Sequence, residues 1–374
     1  MRLVLFVTGL LFILVPSQAQ AELFTDELTG TRYSIELYVQ ANFPVGMAFA
    51  PDGRLFYNEK TTGNVRVVSA GGVLQPTPVI NLPTDALQER GMLGLALDPD
   101  FENNSLLYVV HTVMGNSTDF PANRLVRFRI DDNNRGQDLQ ELLRLPIENG
   151  LLLHNGGNIH FDNEGFLYLS FGDYGEAANA QNLNTQQAAI HRFRIDEGGN
   201  LSIPADNPFG PENSIFAYGL RNPFDFTFDP ISNHLFASES GPNCDDEINL
   251  VQAGANYGWD ENYECVGRAV IPGLENYAAP LLTFTPPISP TGIVVYDDAA
   301  FPGWQGDLFF CNWNFGSLQR AILNETRSRI ESVHEIDLGA LSCRIDLTVG
   351  PDGALYFGTV DIGEGAILRL LPVD

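Results

Sequence analysis

Hydrophobic and polar positions alternate along most of this chain, and the alternation recurs as one phrase: apolar-x-apolar-x, a turn rich in Pro, Asp and Gly, then a second apolar pair. Copies run from Met47 to Tyr57, Leu95 to Tyr108, Ile159 to Tyr168, Phe226 to Phe236, Ile293 to Phe309 and Leu347 to Tyr356. A period of two, carried by β-branched and aromatic residues, describes half-buried strands. Pro-Asp-Gly at 51–53 and again at 351–353 supplies a tight turn, because proline presets φ and glycine takes the left-handed position. Each copy therefore predicts a hairpin. Recurrence at roughly 45 to 70 residues matches propeller blades with loop insertions, and a propeller removes exposed sheet edges by closing on itself. A sandwich or jelly roll is the rival all-β arrangement, but sandwiches rarely repeat one hairpin phrase six times. The prediction is an all-β, six-bladed β-propeller, with no linker or charge run to divide it.

The first residues break this pattern. Arg2, the apolar run Leu3 to Val15 and the small-x-small site Ala19-Gln20-Ala21 predict a signal peptide over 1–21, leaving a mature domain over 22–374. That run is too short to span a bilayer, and no later segment is long enough, so membrane insertion is not expected. The expected location is periplasmic or extracellular. The formal charge of −27 leaves no basic footprint to neutralise phosphates, which argues against nucleic acid and anionic membranes as partners. Four cysteines in an exported chain predict disulfides, and proximity favours Cys244–Cys265 and Cys311–Cys343.

Three loops carry residue types suited to chemistry. His154-Asn155-Gly156-Gly157 joins an imidazole able to accept a proton near neutral pH to two glycines that let a backbone approach a ligand. A surface role for that histidine is the plainer alternative. Gly219-Leu220-Arg221-Asn222-Pro223 offers a rigid guanidinium fork and an amide, suited to a ligand carboxylate or to an acidic neighbour. Gly241 to Asn249, followed by Asn256-Tyr257-Gly258-Trp259, includes three consecutive carboxylates, Asp245 to Glu247. Such crowding is less costly around a hard cation such as calcium, and a solvated acidic loop is the alternative.

Taken together, and with Glu89 to Phe101, Asn200 to Pro208 and Ile288-Ser-Pro-Thr-Gly292, these segments resemble the glucose/sorbosone dehydrogenase family across nearly all of the mature chain. The resemblance implies a soluble enzyme that oxidises an aldose sugar to a lactone with pyrroloquinoline quinone (PQQ) and calcium, and passes electrons to an external acceptor. It implies His154 as catalytic base and Arg221 as stabiliser of the charge that grows on the quinone. Glu89, Arg221, Asn222 and Arg344 would meet the cofactor. The carbonyls of Gly241 and Pro242 would hold its calcium, with Asp246, Glu247 and Tyr257 at a neighbouring structural calcium site.

Departures from the family pattern weaken the cofactor's outer grip. Glu89 replaces a glutamine, and Leu153 replaces an acidic residue before the histidine. Gln319 and Arg320 lie where a cofactor-contacting lysine is common, and Lys60, the chain's one lysine, is far away in sequence. The depleted cations and the Glu-Arg-Gly phrase at 89–91 are similar to the hedgehog-interacting-protein-like branch, which implies an alternative: a non-catalytic, calcium-stabilised propeller that binds a glycan or a protein. A third expectation, a lactonase with calcium on the central axis, needs acidic and amide ligands drawn from several blades.

Overall fold

The computed structural model describes residues 22–148, 150–265, 271 and 273–373; the expected signal peptide lies outside them. Six antiparallel sheets account for nearly all of the regular structure. Every sheet begins with one of the six hairpins. Their innermost strands are Pro44–Phe49, Met92–Leu97, Ile159–Phe161, Pro223–Phe228, Pro290–Val295 and Leu347–Val349, which open blades 1 to 6 in that order. Each innermost strand touches the next, and that of blade 6 returns to that of blade 1. The sequence's six-bladed propeller is the observed architecture. Helix among the described residues is limited to the single turns Phe101–Asn104 and Ala177–Asn179.

Closure uses strands the hairpin phrase did not mark. Arg32–Gln40 pairs with Ala366–Pro372, and Leu23–Thr25 adds outside it, so blade 6 draws its strands from both ends of the described chain. Between blades lie apolar clusters built from the alternate inward side chains, such as Phe56, Val65, Leu95, Val109 and Phe128 between blades 1 and 2. Disulfides Cys244–Cys265 and Cys311–Cys343 have the expected pairing.

One position per blade governs how closely neighbours approach at the axis: Gly46, Gly94, Asn158, Asp225, Gly292 and Asp346, each just before the first apolar residue of its phrase. A Cβ on Gly94 would lie 2.5 Å from the Gly157 carbonyl, and one on Gly292 would lie 2.7 Å from the Asp346 Cα. Glycine is therefore needed where backbones nearly touch. Elsewhere a polar side chain caps the next blade's backbone: the Ile293 N–H donates to Asp225 Oδ2 at 2.9 Å, and the Met47 N–H donates to Asp346.

Candidate active site

The three chemistry-bearing loops converge at one end of the propeller. His154 stands in the loop entering blade 3, with φ of 54° and a side chain 11% exposed. Its Nδ1 lies 2.6 Å from Asp173 Oδ1. Asp173 follows the second strand of the same blade, Phe166–Phe171, and is buried. It also accepts the Gly175 N–H at 2.7 Å on Oδ1 and the Trp259 indole N–H at 2.8 Å on Oδ2. A carboxylate placed in this way accepts a hydrogen bond from Nδ1–H, so Nε2 keeps its lone pair and carries no protein hydrogen bond among the described residues.

Glu89, expected at the cofactor, reaches the same loop: its Oε2 accepts the His154 backbone N–H at 2.5 Å. Lys60 lies in this neighbourhood despite its distance in sequence. Its ammonium donates to the Gln88 carbonyl at 2.5 Å and sits 5.3 Å above the Phe43 ring. Burial lowers its pKa, against the opposing pull of Glu89 and Asp85. The two glycines after His154 serve packing more than ligand approach. Gly157, with φ of 96°, has no room for a Cβ, which would meet the Leu93 side chain of blade 2 at 2.5 Å.

Arg221 and Asn222 enter blade 4 beside this loop. The Arg221 carbonyl accepts the Asp173 N–H at 2.8 Å, and Asn222 Oδ1 accepts the Gly156 N–H at 3.2 Å. Both residues donate their backbone N–H groups to Glu239 Oε1, at 2.7 and 2.8 Å. The Arg221 guanidinium donates from Nη1 to the carbonyls of Ser240 and Gly241, at 2.8 and 2.9 Å, and its Cζ lies 5.5 Å from the Trp259 ring. Its Nε and Nη2 have no hydrogen bond among the described residues.

The carboxylates that looked crowded are not. Asp246–Val251 is a strand, and a period of two sends Asp246 and Glu247 to opposite faces. Asp246 spends its oxygens on the N–H groups of Gly241, at 2.8 Å, and Ser289, at 2.5 Å, and burial raises its pKa. Asp245 bonds Thr285 Oγ1 at 2.9 Å. The concentration of charge lies instead across two strands, where Glu247 is the register partner of Glu239. Both are buried, and Glu239 Oε2 and Asn249 Oδ1 lack a hydrogen-bond partner among the described residues. Burial pushes the Glu239 carboxyl well up, reinforced by the negative charge of Glu247 and opposed by the Arg221 and Asn222 N–H groups. Tyr257 directs its hydroxyl to the Leu250 carbonyl at 2.7 Å, and burial raises the phenol's pKa. No group of three or more His, Cys, Asp or Glu among the described residues is placed to hold a metal ion, so calcium would draw on carbonyl and amide oxygens as well.

Arg344 stands apart, in the approach to the innermost strand of blade 6. It pairs with Asp361 at 2.5 Å and donates to the Trp313 carbonyl. Arg320 is removed from any cofactor role, being buried in ion pairs with Asp26 and Asp307, both at 2.6 Å. The axis does hold acid and amide groups from several blades, as a central calcium would need. Asp225, however, already accepts from Asn158 and its neighbour Phe226 on Oδ1, where His160 Nε2 also lies at 3.1 Å, and from Ile293 on Oδ2, so both of its oxygens are engaged within the protein.

A family model described as glucose/sorbosone dehydrogenase matches residues 41–369. The chain belongs to that family. It is 30% identical over 348 residues to the aldose sugar dehydrogenase YliI of Escherichia coli K12, covering 88% of this chain and 90% of the relative. The apo crystal structure of the soluble aldose sugar dehydrogenase from Escherichia coli superposes with a TM-score of 0.76 at 26% identity, over 91% of this chain and 100% of that one. The PQQ-bound aldose sugar dehydrogenase of Streptomyces coelicolor shares the fold, with a TM-score of 0.74 at 24% identity over 91% of this chain and 98% of that one. The family is one of sugar dehydrogenases, and this chain carries its propeller over almost the whole matched length.

Proposed function

We propose that this protein oxidises the anomeric hydroxyl of an aldose to the lactone, with PQQ as cofactor and calcium as its ion, and reduces an external acceptor. The observation that carries this reading is an oriented imidazole and a partly free guanidinium on two loops that Asp173 and Asn222 bond together at one end of the propeller. His154 takes the hydroxyl proton on Nε2, because Nδ1 is committed to Asp173. Arg221 offers Nε and Nη2 to a ligand oxygen and supplies fixed positive charge beside it. Asn222 is anchored by Glu239 through its backbone and keeps its amide near the His154 loop. The quinone, when bound, supplies the hydride acceptor. Glu89 acts in this reading through the His154 loop, and Arg344 would serve a carboxylate-bearing cofactor only by sharing or exchanging its Asp361 partner.

The donor set also suits calcium. The carbonyls of Gly241 and Pro242 are hard oxygen ligands in a turn that Asp246 holds by the Gly241 N–H. Arg221 uses the Gly241 carbonyl, so an ion at that carbonyl and an Arg221 turned toward the cofactor favour one another through charge repulsion. At the neighbouring site, Glu247 is the register partner of Glu239 and accepts from Asn249 Nδ2 at 3.1 Å, and Glu239 Oε2 and Asn249 Oδ1 have no partner among the described residues; Tyr257 joins this set in the family reading. Export to the periplasm or medium completes the proposal, supported by the two disulfides. Among the described residues no helix is long and apolar enough to cross a membrane.

The test is titration of chelator-stripped protein with PQQ, with and without calcium, followed by dye reduction with a panel of aldoses. Calcium-dependent binding and sugar-driven reduction are expected, with His154→Ala keeping the binding and losing turnover by at least about a hundredfold. No binding at micromolar quinone would leave the non-catalytic glycan- or protein-binding propeller as the better account.

A further inference from the structure

Trp259 touches the Arg221 guanidinium and the carboxylate that orients His154. Its backbone is pinned independently, by its own N–H on the Gly219 carbonyl at 2.9 Å and by Gln181 Nε2 on its carbonyl at 2.7 Å. The side chain is thus free to be chosen for what the indole does. Its N–H donates to Asp173 Oδ2 at 2.8 Å and is the one hydrogen bond to that oxygen among the described residues, the other oxygen serving His154 and Gly175. Its ring lies 5.5 Å from the Arg221 Cζ and 5.1 Å, centroid to centroid, from the Tyr263 ring. With those neighbours the ring is poorly placed to serve as an open platform for a sugar.

We propose that Trp259 is the positioning residue that ties the base to the cation: the indole N–H fixes the carboxylate that orients His154, while the ring steadies the Arg221 guanidinium. The inference rests on the reading of His154 and Arg221 as the reacting pair. Physically, a buried carboxylate oxygen without a donor rotates to find one. Asp173 would then release or tilt the imidazole, and the Nε2 lone pair would leave the line of the substrate hydroxyl. A guanidinium over an aromatic face gains modest attraction and, more usefully, one preferred orientation. Trp259→Phe keeps an aromatic face and removes the N–H together with the five-membered part of the indole.

Two measurements test this. The chain has three tryptophans, so the indole N–H region of a ¹⁵N spectrum of the full protein holds few signals, assignable by Trp-to-Phe substitution. Asp173→Asn should move the Trp259 signal and leave those of Trp304 and Trp313 in place; an unmoved Trp259 signal overturns the proposal, and this arm needs neither cofactor nor turnover. In kinetics, Trp259→Phe should lower kcat about tenfold with quinone affinity held within about threefold. The Trp259→Phe, Asp173→Asn double variant should be no slower than Asp173→Asn alone. Additive losses, or a loss confined to KM, overturn the proposal. If the unsubstituted protein itself fails to oxidise sugars with quinone, the functional reading fails, and the spectrum alone then decides whether Trp259 positions Asp173.

Discussion

At the scale of single residues, Asp173 sets what His154 can do. An imidazole at a loop tip could present either nitrogen; one bonded at 2.6 Å through Nδ1 to a buried carboxylate presents Nε2. Asp173→Asn keeps the shape and can reverse the tautomer by offering an N–H where an acceptor stood. The expected result is a fall in kcat of up to about ten-thousandfold, because the amide favours the wrong tautomer, with quinone binding by absorbance unchanged. Asp173 was not legible in the sequence. Gly172-Asp173-Tyr174-Gly175 has the composition of a turn, and nothing in its spacing from His154 reveals that a hairpin brings them together. Lys60 was missed for the same reason: a blade 1 loop reaches Gln88 only through ring packing. His154, Arg221 and Asn222 were visible because several segments occurred together in a family order, which singly they did not need to mean.

At the scale of elements, the strands Leu235–Glu239 and Asp246–Val251 carry the acidic centre. A string of adjacent acids in sequence invites the picture of one cluster, whereas pleating separates neighbours and pairs residues across strands. Glu239, quiet in the sequence, is therefore closer in role to Glu247 than Asp246 is. If calcium bridges this pair, a chelator should lower the melting temperature of the unsubstituted protein and have little effect on Glu247→Gln; scanning calorimetry with and without chelator checks it. The hairpins were legible because their turn chemistry repeats, while the outer strands and the loop geometry depend on partners the phrase does not encode. The disulfides belong to this scale too. Cys244–Cys265 spans 21 residues and ties the Gly241 turn to the segment carrying Tyr263. Replacing both cysteines with serine should cost about 3 kcal/mol of stability, read by denaturant melts.

At the scale of the whole molecule, the axis is where like charges meet. Burial and the neighbouring negative charge of Asp225 raise the Asp346 carboxyl well above the ordinary value of 3.8. A carboxyl with a raised pKa binds its proton more tightly folded than unfolded, so its contribution to stability is full below the unfolded value and is lost as pH climbs through the folded one. Asp346→Asn removes that loss while keeping the Oδ1 that accepts the Leu347 N–H. The variant should melt a few degrees higher at pH 7 to 8, with the gap closing below about pH 4, where both states of the parent hold the proton. Equal gaps at both pH values would show that packing, not titration, separates the two proteins.

Blade 6 gives the ring a history as well as a shape. Arg369 holds Glu36 across 333 positions of chain, and the sheet containing them is complete only when segments from both ends of the propeller have met. During synthesis the first five hairpins can form in turn, but the strand Arg32–Gln40, paired on one side with Leu23–Thr25, must wait for its inner partner until Ala366–Pro372 has emerged. The protein thus stays an open arc until its final blade exists.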